Sequence, residues 1–290
     1  MGEGDPRAVG TEAIGRGRAA ALAAPATLLL ALFFALPLGL LVTEAFTGGG
    51  VAFVRLAADP LVWRGLVNSL ALGATAAGIS LVVGFAVALH LARLDERVRA
   101  GLVFCISLPL TFSGLIVAYG FILAFGRAGF VTLLLAEVGV DPGSFASLVY
   151  GPGGLAVAYT YYLVPRVVLL LLPVFVNFDE RQLLAAESLG ATRLRALADV
   201  LMPQVLPSAV VAFCLTAAVA IGAYGTALAL VGTQVNILPL LLYSKVSDAG
   251  SDFPSAAALS LVLLAICSLV MAAGETFAAR RKGATDATLA

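Results

Sequence analysis

Residues 65–91 read GLVNSLALGATAAGISLVVGFAVALHL, 27 positions without one Asp, Glu, Lys or Arg. Wound as an α-helix at about 1.5 Å per residue, the run reaches about 40 Å, more than the roughly 30 Å hydrocarbon core of a bilayer. Lipid offers an open backbone no hydrogen-bonding partner, so a run of this length is stable in a membrane as a helix. His90 lies one residue from its end, beside Arg93, a position suited to the interface. Gly73, Ala77, Gly78 and Gly84 leave room for a neighbouring helix to approach closely.

The rest of the chain has the same character. Hydrophobic residues make up 61% of it and charged residues 12%, with a mean hydropathy of +1.05. Soluble domains are typically about 45–50% apolar and about 25% charged, and disordered chains are poorer still in apolar residues. Both classes are excluded, and an all-α integral membrane protein is expected. The 17 basic and 17 acidic residues balance, so no net field points to nucleic acid or to an acidic partner. Cys105, Cys214 and Cys267 all lie in apolar runs with no neighbour at metal-ligand spacing. They read as small packing residues, and no metal or cofactor is expected.

Five more segments meet the length test: Ala19–Val42, Ala100–Gly126, Leu155–Phe175, Val205–Gly232 and Ser255–Gly274. Phe130–Ala136 is too short to span and is expected at the interface. The first segment exceeds the 7–15 residues usual for a signal-peptide core, so a retained helix is expected. Twelve of the Lys and Arg residues fall in the N-terminal arm, the loops after the second and fourth spans, and the tail, against four on the opposite side. That asymmetry places both termini in the cytoplasm. The expected organisation is a cytoplasmic arm (1–18), one six-helix membrane domain (19–274) and a cytoplasmic tail (275–290).

The loop between the fourth and fifth spans, residues 177–204, reads NFDERQLLAAESLGATRLRALADVLMPQ. Its apolar spacing predicts one short helix through Leu183, Leu184 and Ala186, and a second through Leu194, Leu197 and Leu201. Gly190 stands where the first must end, and glycine accepts a left-handed cap without steric cost. Pro203 and Pro207 punctuate the entry into the fifth span. Such a pair of helices either docks on another protein or orients the two spans it connects.

The motif Leu184-Ala185-Ala186-Glu187-Ser188-Leu189-Gly190, with Pro203 thirteen residues after the glycine, resembles the EAA loop of permease subunits in binding-protein-dependent ABC importers. In that family the loop lies on the cytoplasmic side between the fourth and fifth of six helices. Ala220-Ile221-Gly222-Ala223-Tyr224-Gly225-Thr226 is similar to the Gly-Glu-Phe-Gly stretch of sulfate, molybdate and ferric-iron permeases, and Asn68-Ser69-Leu70 adds weaker similarity. Two positions depart from the pattern: Leu184 stands where the family has its first Glu, and Ala223 where an acidic residue is expected.

The resemblance implies a translocation pore for a small solute, which could be an oxyanion, a phosphonate, ferric iron or a polyamine. It implies three partners besides lipid: a cytoplasmic ABC ATPase dimer, a second permease subunit, identical or related, and an extracytoplasmic solute-binding protein. It makes Leu184, Ala185, Ala186, Glu187, Gly190 and Pro203 the ATPase-coupling residues. The chain has no GxxxxGK[ST] motif, so it is not expected to be an enzyme, and ATP would be hydrolysed by the partner.

Candidate pore or gate residues are Tyr162 and Arg166 on the fourth span and Thr216, Tyr224 and Thr226 on the fifth. Arg166 is the only Lys or Arg well inside a span, where a charge is costly and faces protein or water rather than lipid. It suits an anionic substrate or a gate, or else snorkels or pairs with a partner subunit. Tyr159, Thr160 and Tyr161 extend the cluster and read equally as packing. The alternatives are an ion-coupled secondary transporter and a non-transporting scaffold. The first normally needs intramembrane carboxylates, and no Asp or Glu falls mid-span.

Overall fold

The computed structural model describes residues 24–232, 234–247 and 252–289. The arm 1–18 and the first residues of the first expected span lie outside them. No strand occurs among the described residues, and six helical stretches are long and apolar enough to cross a membrane. The all-helical, six-span architecture is therefore as expected.

The first crossing, α1 (Ala24–Ala45), contains a π-helical turn at Ala31–Ala35. After the short α2 (Val51–Ala58) comes α3 (Pro60–Ala92). It starts upstream of the apolar run because local chemistry starts it: Pro60 supplies a preset first turn and Asp59 accepts the Leu61 N–H at 2.8 Å.

The third crossing is where hydropathy misleads. Instead of one helix over Ala100–Gly126, the chain forms α4 (Glu96–Ser107), a 3-10 turn at Leu108–Thr111, and α5 (Gly114–Phe125). Pro109 has no N–H to continue the ladder, and Ser113 restarts the helix by accepting the Ile116 N–H. The stretch apolar and long enough to cross is Gly114–Glu137, in which α6 (Phe130–Glu137) follows α5 past a bend at 126–129.

Then follow α7 (Pro142–Val149) and α8 (Pro152–Val176). The loop region holds α9 (Arg181–Ser188) and α10 (Arg193–Ala196), the latter running through a π-turn at Leu197–Leu201 into α11 (Met202–Ile221). The expected fifth span, Val205–Gly232, is also divided: α11 ends at Ile221, where the apolar crossing Arg193–Ile221 stops, and α12 (Gly225–Val231) starts anew. Finally come α13 (Leu238–Ser247) and α14 (Phe253–Leu289), which continues helical well past Gly274.

The fourth and fifth crossings form the centre, with half of their most apolar stretches buried, whereas none of that of α1 is. One core gathers Tyr159, Leu155 and Leu163 of α8 with Val117, Ala220 and Leu230. A second, nearer the loop, gathers Val167, Val168 and Leu171 of α8 with Ala88, Val205 and Ala212. Glycine makes the α3–α8 contact possible: a Cβ at Gly84 would sit 2.6 Å from the Val167 side chain. Gly73 faces Ile221 just as closely and Ala77 is fully buried, while Gly78 faces open space. Gly84→Ala is therefore expected to destabilise the chain by about 1–3 kcal/mol through overpacking, read as a lower Tm in detergent, while Gly78→Ala leaves it unchanged.

Polar stitches fix the start of α3. Asn68 Nδ2 donates to the Asn236 carbonyl and Asn236 Nδ2 to the Leu61 carbonyl, both at 2.9 Å, while the buried Ser69 Oγ accepts the Leu238 N–H at 2.9 Å. Together they tie the connection from α12 to α13 down onto α3. Asn236→Ala removes this donor from the Leu61 carbonyl, and a loss of about 0.5–1.5 kcal/mol is expected in thermal unfolding.

Candidate functional site

The two helix interruptions meet. The start of α12 packs against the start of α5 so closely that a Cβ at Gly114 would overlap Thr226 Oγ1, and one at Gly225 would lie 3.6 Å from the Leu115 nitrogen. Beside this contact is a cavity of about 410 Å³, lined by Pro109, Phe112, Ser113 and Gly114 from the first interruption and by Gly222, Ala223, Gly225 and Thr226 from the second. Tyr162 and Arg166, one helical turn apart on α8, complete its wall.

An open backbone inside the span needs polar partners, and α8 provides one. The buried Tyr159 donates its hydroxyl to the Ala223 carbonyl at 2.7 Å, satisfying a group that the end of α11 leaves without a helical donor. Ala223 lines the cavity at the position where an acidic residue was expected. Two polar atoms at the wall make no hydrogen bond among the described residues: the Tyr162 hydroxyl and Arg166 Nη1, both buried. The Arg166 guanidinium carbon stands 5.9 Å from the centre of the Tyr162 ring, a cation–π approach.

Of the five candidate pore residues, Tyr162, Arg166 and Thr226 share this cavity and two do not. Thr216 is fully buried and turns its hydroxyl onto its own helix, to the carbonyls of Ala212 at 2.7 Å and Phe213 at 3.0 Å. Tyr224 sits at the interruption but points its ring towards Tyr243, 5.3 Å away. The contribution of Tyr159 to the backbone was hidden in an aromatic run that reads equally well as packing.

The loop has its own geometry at the other end of α8. Gly190 adopts φ +92°, with hydrogen bonds from its N–H to the Glu187 carbonyl at 2.9 Å and from the Ala191 N–H to the Ala186 carbonyl at 3.1 Å. This is a Schellman cap, and only glycine takes that backbone conformation freely. Thr192 caps α10 through the Arg195 N–H at 3.4 Å, and Gln204 donates to Gln182 at 2.7 Å, tying α9 to the start of α11. The π-turn places the Met202 N–H on the Leu197 carbonyl just before Pro203, which has no N–H to give.

Leu183 and Leu197 pack onto the second core, so one face of the hairpin is spoken for. Leu184, Leu189 and Leu194 are turned outward at 61%, 90% and 82% exposure, the first two outside every apolar crossing and Leu194 at the start of the fifth, Arg193–Ile221. Ala185 and Glu187 are exposed beside them and Ala186 is half-buried. The one ion pair here, Arg195 with Asp199 at 3.4 Å, is exposed on both sides and contributes little.

Comparison with known proteins gives concordant results. The model of a family described as "Binding-protein-dependent transport system inner membrane component" matches residues 80–283. "Sulfate permease 2, chloroplastic" of Chlamydomonas reinhardtii is 26% identical over 229 residues, covering 78% of this chain but only 60% of that protein's length. "Spermidine/putrescine transport system permease protein PotB" of Salmonella typhimurium is 26% identical, covering 83% of this chain and 87% of its own. A chain of a bacterial alginate ABC transporter, solved in complex with an alginate pentasaccharide-bound periplasmic protein, superposes with a TM-score of 0.69 at 18% identity, covering 90% and 93%.

Proposed function

Because the chain belongs to the family of binding-protein-dependent transport system inner membrane components, we propose that it is the permease subunit of an ATP-driven ABC importer. It forms half of a pore through the cytoplasmic membrane for a small solute delivered by an extracytoplasmic binding protein. The observation that carries this reading is the pairing of two features on α8. A cavity between interrupted helices lies at its middle, and a rigidly capped hairpin with an outward apolar face lies beyond its end.

The chain lacks a P-loop, so the energy comes from a separate ATPase dimer, and the hairpin is where it enters. Leu184, Ala185, Ala186, Glu187 and Gly190 form the docking element, and Pro203 with the π-turn joins it to α11. The hairpin is wedged onto the core through Leu183 and Leu197, so rotation of the docked element is passed to α8 and α11 as rigid bodies. The departure at Leu184 makes its contact apolar rather than ionic. A second permease subunit, identical or related, closes the pore. The excess of Lys and Arg on one side supports cytoplasmic termini and puts the hairpin on the ATPase side.

Deleting Leu183–Leu194 tests the assignment. The expected result is normal membrane insertion with no ATPase association, checked by fractionation and affinity pull-down. Retained association would refute the docking site.

A further inference from the structure

The charge in the cavity has no counter-charge. Arg166 projects into a space within the membrane-spanning body, and none of the residues lining that space is Asp or Glu. A guanidinium with one buried, unbonded nitrogen is costly unless an anion or a set of acceptors answers it. Around it the cavity wall offers hydroxyls and backbone groups but no carboxylate. The Tyr162 hydroxyl is buried beside the Thr226 side chain without a hydrogen bond of normal geometry, and the N–H groups of Gly114 and Leu115 belong to the first turn of α5, where no intrahelical acceptor exists. Ser113 already spends its side-chain oxygen on the Ile116 N–H.

We propose that this cavity is a binding site for a small tetrahedral oxyanion on the solute's path. Arg166 is the charged contact, and the Tyr162 hydroxyl and the α5 first-turn N–H groups are donors to the remaining oxygens. The inference rests on the permease reading for the path, but the donor set stands on its own geometry. It selects the substrate class: a polyamine or a metal cation meets an uncancelled positive charge and no carboxylate, whereas an oxyanion meets a planar fork suited to two of its oxygens. The volume, about 410 Å³, holds such an ion with a few waters and is near the small end for ligand cavities.

The test uses the full chain with whatever subunits co-purify, in detergent with gluconate as bulk anion. Equilibrium dialysis against radiolabelled sulfate, phosphate and methylphosphonate, with spermidine as the cationic comparator, measures binding to wild type, Arg166→Gln and Arg166→Lys. At least one oxyanion is expected to bind wild type saturably and spermidine not at all. Arg166→Gln is expected to weaken that binding roughly tenfold or more, and Arg166→Lys to keep part of it. The same oxyanion should raise the Tm of wild type and not that of Arg166→Gln, which separates loss of the site from loss of the fold.

Failure of all three oxyanions to bind wild type, equal binding to Arg166→Gln, or preferential binding of spermidine would overturn the proposal. So would a carbodiimide cross-link formed by the Arg166→Lys variant with a carboxylate of a second permease subunit, which would identify the charge as an assembly contact. Probing the same preparation for the ATPase keeps the two readings apart. ATPase present without oxyanion binding refutes the site alone, whereas oxyanion binding without the ATPase refutes the permease reading and leaves the site standing.

Discussion

Replacing Leu189 and Leu194 together by serine is expected to weaken binding of the ATPase by a factor on the order of 10²–10⁴ while leaving the chain's own stability unchanged. Both side chains stand almost free of the rest of the protein, at 90% and 82% exposure, so neither supports the fold. Burying each leucine in a docking cleft is worth about 1.5–3 kcal/mol, and losing two gives about 3–6 kcal/mol, which sets the factor. The measurement is a titration of purified ATPase against the reconstituted chain, paired with a melting curve of the chain alone. A lower Tm with unaltered affinity would mean that the leucines belong to the fold rather than to an interface.

Gly114→Ala is expected to impair the chain severely, and Thr226→Ala is expected to rescue it. The added methyl would overlap Thr226 Oγ1 at the contact between the starts of α5 and α12, whereas Thr226 Cβ and N would remain at an ordinary 3.6 Å. Overpacking of this kind costs about 1–3 kcal/mol, and here it falls on the hinge between two interrupted helices beside the cavity. Substrate uptake should drop more than ATPase association, because the hairpin lies at the other end of α8. The double variant should recover most of the lost Tm. A strictly additive double variant would mean that the two positions do not touch, contrary to the geometry.

The number of crossings and the identity of the hairpin were legible because each rests on a long-range regularity. An apolar run of about 20 residues is a statement about the bilayer. Gly190 is a statement about one backbone angle, and it holds at φ +92°. The interruptions at 108–113 and 222–224 were not legible, because hydropathy averages over them. Pro109, Ser113 and Gly222 sit in runs as apolar as any other, and what makes the interruptions stable is distant in sequence: Tyr159 reaches the Ala223 carbonyl across 64 positions. The same interruptions explain why the fifth-span candidates divided. Helical phase carries Thr216 onto a buried face of α11, but α12 starts on a new phase, so no periodicity relates Thr216 to Thr226. Arg166 was visible as a lone charge. That Tyr162 and Thr226 stand with it, and no carboxylate does, is a property of the packed helices alone.

The central claim is that this chain moves solute with energy taken from another protein through the α9–α10 hairpin. A C-terminal tag, extraction in mild detergent and identification of the co-purifying chains test it most directly. The account predicts a stoichiometric P-loop ATPase, with a second six-span chain present if the pore is a heterodimer and absent if it is formed by two copies of this one. A chain that emerges alone from membranes in which a matching ATPase is expressed would contradict it.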